Sequence, residues 1–226
     1  MSPEGPSEQG DAFRVRLQEL KEQGSAILLV GEVPSNVRDR ACERLLGEAE
    51  TLPRHRLLVF TNGRGGIESR LRAHDPGRGS TEVITAAVTR STATGSRVDA
   101  DVPVRELDPD SLRDLGGAIS AWVDETEESQ GTLAHGELRL CVNSLSPLLE
   151  VHGERPVFEF VVVTAARVRA VAGMAHFHLP VASDADVAKL IAPAVDAVIE
   201  LRTDDGEPQQ RWHLVDEDLQ SRWLPL

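Results

Sequence analysis

Two histidines separated by one residue, His176 and His178, have the spacing in this 226-residue chain that most directly suggests chemistry. On a strand, residues two apart point to one face, as a metal-binding His-x-His pair does. Only Cys141 and His152 offer obvious further ligands, and nothing in their spacing joins them to the pair, so both histidines read as core or strand-end residues. Cys42 and Cys141 are too few and too far apart for a disulfide scaffold, and they read as buried apolar residues. Ser144 and Ser146 lack the Gly-x-Ser-x-Gly elbow that lifts a nucleophilic serine out of a sharp strand-to-helix turn, which rejects a hydrolase of that type. Arg64, Arg70, Arg72 and Arg78, with Gly63, Gly65, Gly66 and Gly77 nearby, form one locally basic stretch. It reads as a solvated helix face and loop, with a contact surface for an acidic partner or nucleic acid as the alternative. Trp122, Trp212 and Trp223 read as packing bulk.

The elements that must position these residues follow from periodicity. Met1–Gly10 has no pattern and is expected to be a disordered tail, leaving residues 11–226 as one α/β domain. Asp11–Gln23 is expected to be a helix stopped by Gly24. Ala26–Val30 is a continuous apolar run ending at Gly31, the mark of a strand buried on both faces. A helix over Val37–Ala49, a strand over Arg56–Thr61 and a loop from Asn62 follow. Strands are expected over Glu82–Val88 and Arg97–Val104. Asp108 and Pro109 are then expected to cap and open a helix running through Leu115, Ile119 and Trp122. Leu138–Val142 reads as another buried strand, Pro156–Ala172 as a helix, Ala175–Leu179 as a strand, Asp184–Ile191 as a helix and Ala194–Leu201 as a strand. Arg211–Val215 and Arg222–Leu226 are expected to form a terminal antiparallel pair. Alternating buried strands and helices imply a largely parallel sheet covered by helices on both faces. Ligands of such sheets sit at the carboxyl ends of the strands, an edge that here carries Gly31, Asn62, Asn143, Ser144 and His178.

Composition narrows the function classes. Lys and Arg total 24 against 37 Asp and Glu, a formal charge of -13. A field of that sign repels phosphate backbones and argues against nucleic acid as a partner. Lys21 and Lys189 are the only lysines, and the remaining basic residues are all arginine. An acidic excess with almost no lysine suits a salt-rich cytoplasm, where molar salt shrinks the Debye length to about 3 Å and screens self-repulsion. A GC-rich genome would account for the arginines but not for the acids. No apolar run approaches the roughly 20 residues of a membrane helix, and the first residues carry no export signal, so a cytoplasmic protein is expected.

The order of elements resembles RecA-superfamily ATPases, the KaiC-like branch in particular and its haloarchaeal members most of all. Three stretches carry the resemblance: Ile27–Gly31 followed by a helix, where that family places its phosphate loop; Leu138–Leu149, similar to the strand bearing the Walker B acid; and Ala197–Leu201 with Arg211–Val215, similar to the closing strands. The family's chemistry is not matched. A phosphate loop, G-x-x-x-x-G-K-[ST], wraps phosphates in backbone N–H groups, neutralises them with Lys and ligates Mg²⁺ through the hydroxyl. At that spacing from Gly31 this chain has Asn36, Val37 and Arg38. Asn36 is able to adopt a left-handed conformation in place of glycine, Val37 offers no charge, and Arg38 carries charge one position late. The Walker B position is Asn143, a poor Mg²⁺ ligand beside a carboxylate. The resemblance with these losses implies a non-catalytic pseudo-ATPase that regulates or signals through a protein partner or as a homo-oligomer, with no cofactor. The alternative is a sensor in which Gly31, Asn36, Arg38, Asn143 and Ser144 still bind ATP or another nucleotide without hydrolysing it. A divergent ATPase is a third reading.

Overall fold

The computed structural model describes residues 6–47, 53–62, 79–86, 102–107 and 111–226, with side chains from residue 10 onward. In chain order the elements are α1 (Pro6–Gln23), β1 (Ser25–Val30), α2 (Ser35–Leu46), β2 (His55–Phe60), β3 (Thr81–Thr85), β4 (Val104–Glu106), α3 (Leu112–Gln130), β5 (Leu138–Val142), α4 (Ser146–His152), α5 (Glu154–Arg169), β6 (Met174–Leu179), α6 (Asp186–Ile191), β7 (Ala197–Asp204), β8 (Glu207–Leu214), β9 (Leu219–Gln220) and β10 (Leu224–Pro225). Among the described residues the strands form one ten-stranded sheet in the order β10-β8-β7-β1-β6-β5-β2-β3-β4, with β9 beside β8. Every pairing from β7 to β4 is parallel, and β8 pairs antiparallel with β7, β9 and β10. The expected fold class, a largely parallel sheet with helices on both faces and antiparallel strands at the C-terminus, is the observed one.

Alternation along the strands divides the core between the two faces. Ala26, Leu28 and Val30 of β1 join Leu140 and Val142 of β5 and Phe177 of β6 in packing against α3 and α5, through Trp122, Val157, Val161 and Val168. Ile27 and Leu29 turn the other way, toward Leu20 of α1 and Val37, Ala41 and Leu45 of α2. All six residues of β1 and of β2 are buried, as strands covered on both faces must be. Each large aliphatic side chain so buried contributes about 1.5–3 kcal/mol. Asp196, just before β7, accepts from the Ala26 amide at 2.7 Å and from Arg169 Nε at 2.8 Å, clipping α5 to the start of β1.

Several boundaries differ from expectation for local reasons. α1 takes in Pro6–Gly10, which was expected as tail, and residues 1–5 lie outside the described residues. α2 starts two residues early, at Ser35, and stops at Gly47, whose φ of 73° ends the helix before Ala49. α3 is capped by Ser111, whose Oγ accepts from the Asp114 amide at 3.2 Å, rather than by Asp108, which lies outside the described residues. β4 begins at Val104, where the expected strand was to end. Gly153, at φ 78°, separates α4 from α5. β8 finds its main partner in β7 rather than at the C-terminus. The two run as a hairpin turned by Asp205 (φ 48°) and Gly206 (φ 83°), the positive-φ pair of a type I′ turn, and β10 adds only Leu224 and Pro225 to its far edge.

Candidate functional site

The carboxyl edge of β1 leads into α2 through four residues only. Gly31 has φ 128°, and a Cβ there would lie 2.3 Å from the Leu201 carbonyl oxygen of β7, so glycine is required by the close approach of that strand. Its amide donates to the Val181 carbonyl at 2.8 Å. Pro34 caps α2 with φ -56°, and the Val37 and Arg38 amides both donate to its carbonyl, at 3.1 and 3.3 Å. Arg38 folds back so that Nη1 donates to the Val33 carbonyl at 2.5 Å. Val37 is buried against the sheet, and Asn36 is exposed in the first turn. Asn36 is helical rather than left-handed, because the proline starts the helix before the chain reaches it.

Asn143 and Ser144 leave β5 two strands away, with β6 between. Asn143 Oδ1 accepts from the Thr61 amide at 3.0 Å, and Nδ2 donates to Asn62 Oδ1 at 2.7 Å. Thr61 Oγ1 donates to the Ser144 carbonyl at 2.6 Å, and Ser144 Oγ accepts from the Ser146 amide. The three polar residues from the expected edge therefore stitch the end of β2 to the end of β5. A 670 Å³ cleft opens at the same edge beside Gly31, but Asn36, Arg38, Asn143 and Ser144 do not line it. Among the described residues its charged groups are Glu32, Asp184, Glu200 and Arg202. Glu200 is engaged by Arg211 at 2.5 Å and by Ser183 at 2.7 Å.

The histidine pair and the cysteines, expected as unconnected core residues, come together. Cys141 on β5 lies in register with His176 on β6, His178 follows two residues on, and Cys42 of α2 faces the same spot. Cys42 Sγ is 3.3 Å from Cys141 Sγ and 3.3 Å from His176 Nε2. Burial pushes the Cys141 thiol up, but hydrogen bonding to Cys42, charge on His176 and hydrogen bonds from His176 and His178 outweigh it and hold the thiol well below its ordinary value. His152, at the end of α4, does not join this group. The spacing gave no sign of the meeting because the four residues come from three separate elements. The legible signal was the parallel pairing of β5 with β6, which places Cys141 beside the first histidine.

At the opposite edge of the sheet a 460 Å³ pocket collects Lys21, Arg44, Arg54, His135 and Arg139, a grouping absent from any sequence window. Arg139 Nε donates to the Gly136 carbonyl at 2.7 Å and Nη1 to the Leu45 carbonyl at 3.1 Å. Burial, with Arg54 and Arg56 nearby, lowers its pKa to about 9. The basic stretch Arg64, Arg70, Arg72 and Arg78 lies outside the described residues. Trp122 is core on the α3–α5 face, Trp212 packs against the separate cluster on the α1–α2 face, and Trp223 lies under the Arg202 and Arg211 guanidinium groups, at 4.0 and 4.8 Å from the ring centre.

A parallel sheet of this order, covered on both faces and closed by an antiparallel hairpin, is a RecA/KaiC-like α/β fold. A solved KaiC-like protein, PH0186 from the hyperthermophilic archaeon Pyrococcus horikoshii OT3, matches it with a TM-score of 0.54 at 13% identity, over 89% of this chain and 84% of that one. The chain belongs to the family of unknown function DUF7504, whose match spans residues 24–201. No curated protein matches it. Among the described residues no helix is long and apolar enough to cross a membrane.

Proposed function

We infer that the chain is a non-hydrolysing RecA/KaiC-like module that regulates or signals in the cytoplasm by binding a protein partner or a second copy of itself. The observation that carries this reading is how the phosphate-loop and Walker B positions are occupied. The Gly31 amide is committed to Val181, the Arg38 guanidinium to the Val33 carbonyl, and both ends of the Asn143 amide to Thr61 and Asn62. No carboxylate stands at position 143 to hold Mg²⁺, and no lysine at position 37 to neutralise phosphate. The acids lining the neighbouring cleft add repulsion toward a triphosphate. Binding through a protein surface is supported by Val151, Val162, Val163 and Leu190, large hydrophobic side chains left exposed on α4, α5 and α6.

The second reading, a nucleotide sensor, is favoured by one observation: Asn36 is exposed in the first turn of the twelve-residue α2, with Arg38 close by. One experiment separates the readings. Melting is followed in molar KCl with Mg²⁺-ATP, GTP or ADP, alongside phosphate release. A ligand at 100 times its Kd adds about 2.7 kcal/mol, or roughly 6 °C for a chain of this length. No shift and no phosphate are expected. A shift lost in Arg38→Ala would establish the sensor instead, and phosphate release lost in Asn143→Ala would establish an ATPase.

A further inference from the structure

The group formed by Cys42, Cys141, His176 and His178 has no part in the reading above, and its chemistry is specific. One atom from each residue, a sulfur or a ring nitrogen, lies within 4.8 Å of each of the others. The four residues are at most 1% exposed. The two imidazole rings stand 5.3 Å apart at 60°, inclined toward one another rather than stacked. Leu46, Leu58, Phe60 and Val83 surround the sulfurs, and Ile27 and Leu29 of β1 flank the histidines in register. His176 Nδ1 is buried with no hydrogen-bond partner among the described residues, so that ring is positioned through its other nitrogen and the group around it.

Four such donors in a dry core match a tetrahedral ion in number, type and spacing. Metal bonds of about 2.3 Å to sulfur and 2.0–2.1 Å to nitrogen place tetrahedral neighbours about 3.8 Å apart for two sulfurs and about 3.6 Å for sulfur and nitrogen. The two 3.3 Å separations must open by a few tenths of an ångström, and the widest separation, up to 4.8 Å, must close by about 1 Å. A polynuclear iron–sulfur cluster would hold its ligand pairs farther apart than this group allows. Charge agrees as well. Two thiolates, two neutral imidazoles and a divalent cation sum to zero, which removes the penalty of burying an uncompensated ion. Two sulfurs with two nitrogens in tetrahedral array select zinc among common divalent ions, and a set closed by four protein ligands marks a structural rather than a catalytic centre.

We propose that Cys42, Cys141, His176 and His178 form a closed, four-ligand site for one zinc ion, which ties α2 to β5 and β6. The ion braces the helix that follows Gly31 from beneath. The junction occupied by a phosphate loop in RecA-like ATPases is thereby held without a nucleotide.

The test uses the whole chain, purified with a phosphine reductant, stripped with a chelator and titrated with cobalt(II) alone. The expected result is one tightly bound cobalt per chain, with the intense visible bands of a tetrahedral ion and a near-ultraviolet thiolate-to-metal band. Zinc should displace the cobalt mole for mole and raise the melting temperature of the stripped protein by about 5 °C or more once it exceeds its Kd a hundredfold. Cys42→Ser, followed by circular dichroism to confirm that it folds, should lose the thiolate band and the zinc-dependent stabilisation. If that variant does not fold, the wild-type titration decides alone. Weak octahedral bands without a thiolate band, or a melting curve indifferent to zinc, would overturn the site. So would a mass two daltons lower before reduction in protein that carries no metal, since Cys42 and Cys141 would then be a disulfide.

Discussion

Replacing Asn143 with alanine tests whether its side chain is a structural clip between the ends of β2 and β5. Thr61 is completely buried, and its amide has the Asn143 side-chain oxygen as acceptor at 3.0 Å. Asn62 is exposed, so water can replace the bond from Asn143 Nδ2 at little cost. The Thr61 hydroxyl retains the Ser144 carbonyl at 2.6 Å, so it loses nothing substantial. What remains is one stranded, buried N–H, worth about 1–3 kcal/mol. A loss of about 2 kcal/mol is therefore expected for Asn143→Ala. With roughly 2.1 cal/mol/K of unfolding entropy per residue, that lowers the melting temperature by about 4 °C. Asn143→Asp keeps an oxygen facing the Thr61 amide and should lose less than alanine does, yet gain no ATPase activity. Urea unfolding of the three proteins, with constant slope, is the assay. An alanine variant within about 0.5 kcal/mol of wild type would refute the clip, and so would an aspartate variant that turns over ATP.

Two more outcomes follow from the same physical reasoning. Gly31→Ala should destabilise by about 3 kcal/mol or more, from strain at φ 128° together with a methyl 2.3 Å from the Leu201 oxygen; chemical unfolding measures it, and a change under 1 kcal/mol would show that β7 yields. His55 is held below its ordinary value by burial, with Arg56 acting in the same direction and Glu137 against it. The unfolded chain then takes up the proton more readily, so stability is full above about pH 6.5 and falls as pH drops through that value toward the folded pKa. His55→Gln should flatten that slope between pH 7.5 and 5.5 relative to wild type, and equal slopes would exclude His55 as its source.

The fold was legible because its main signals are local. Ile27–Val30 and Leu138–Val142 are apolar runs whose burial on both faces follows from their composition, and helix spacing marked the inner faces of α2, α3 and α5. The boundaries moved where a single residue outweighed the periodicity: Pro34 started α2 early, Gly47 stopped it, and Ser111 supplied a cap. The β7–β8 hairpin had a readable turn in Asp205-Gly206, whereas the expected pairing of the C-terminal segment with β8 holds only at Leu224 and Pro225, and β7 supplies the longer ladder. The site divides similarly. Val37 and Asn143 are each read within a short stretch of sequence, whereas Asn143 bonding to Thr61, and Cys42 meeting Cys141 and two histidines, depend on contacts across about 80 to 130 residues. No spacing rule reaches that far; only the strand order does.

That strand order also bears on how the chain is made. β1 leaves the ribosome well before its two neighbours in the sheet, β6 and β7, which lie about 150 residues further along the chain. About 150 residues must be synthesised before either is available, which at roughly 5–20 residues per second leaves Ser25–Val30 without its strand partners for about 7–30 s. During that interval the nascent chain exposes a strand with both edges open, which invites pairing with other chains. The centre of the finished sheet thus closes late, with only β8, β9 and β10 still to join its edge, and a chaperone engaging this protein during synthesis would be expected to hold the segment around β1.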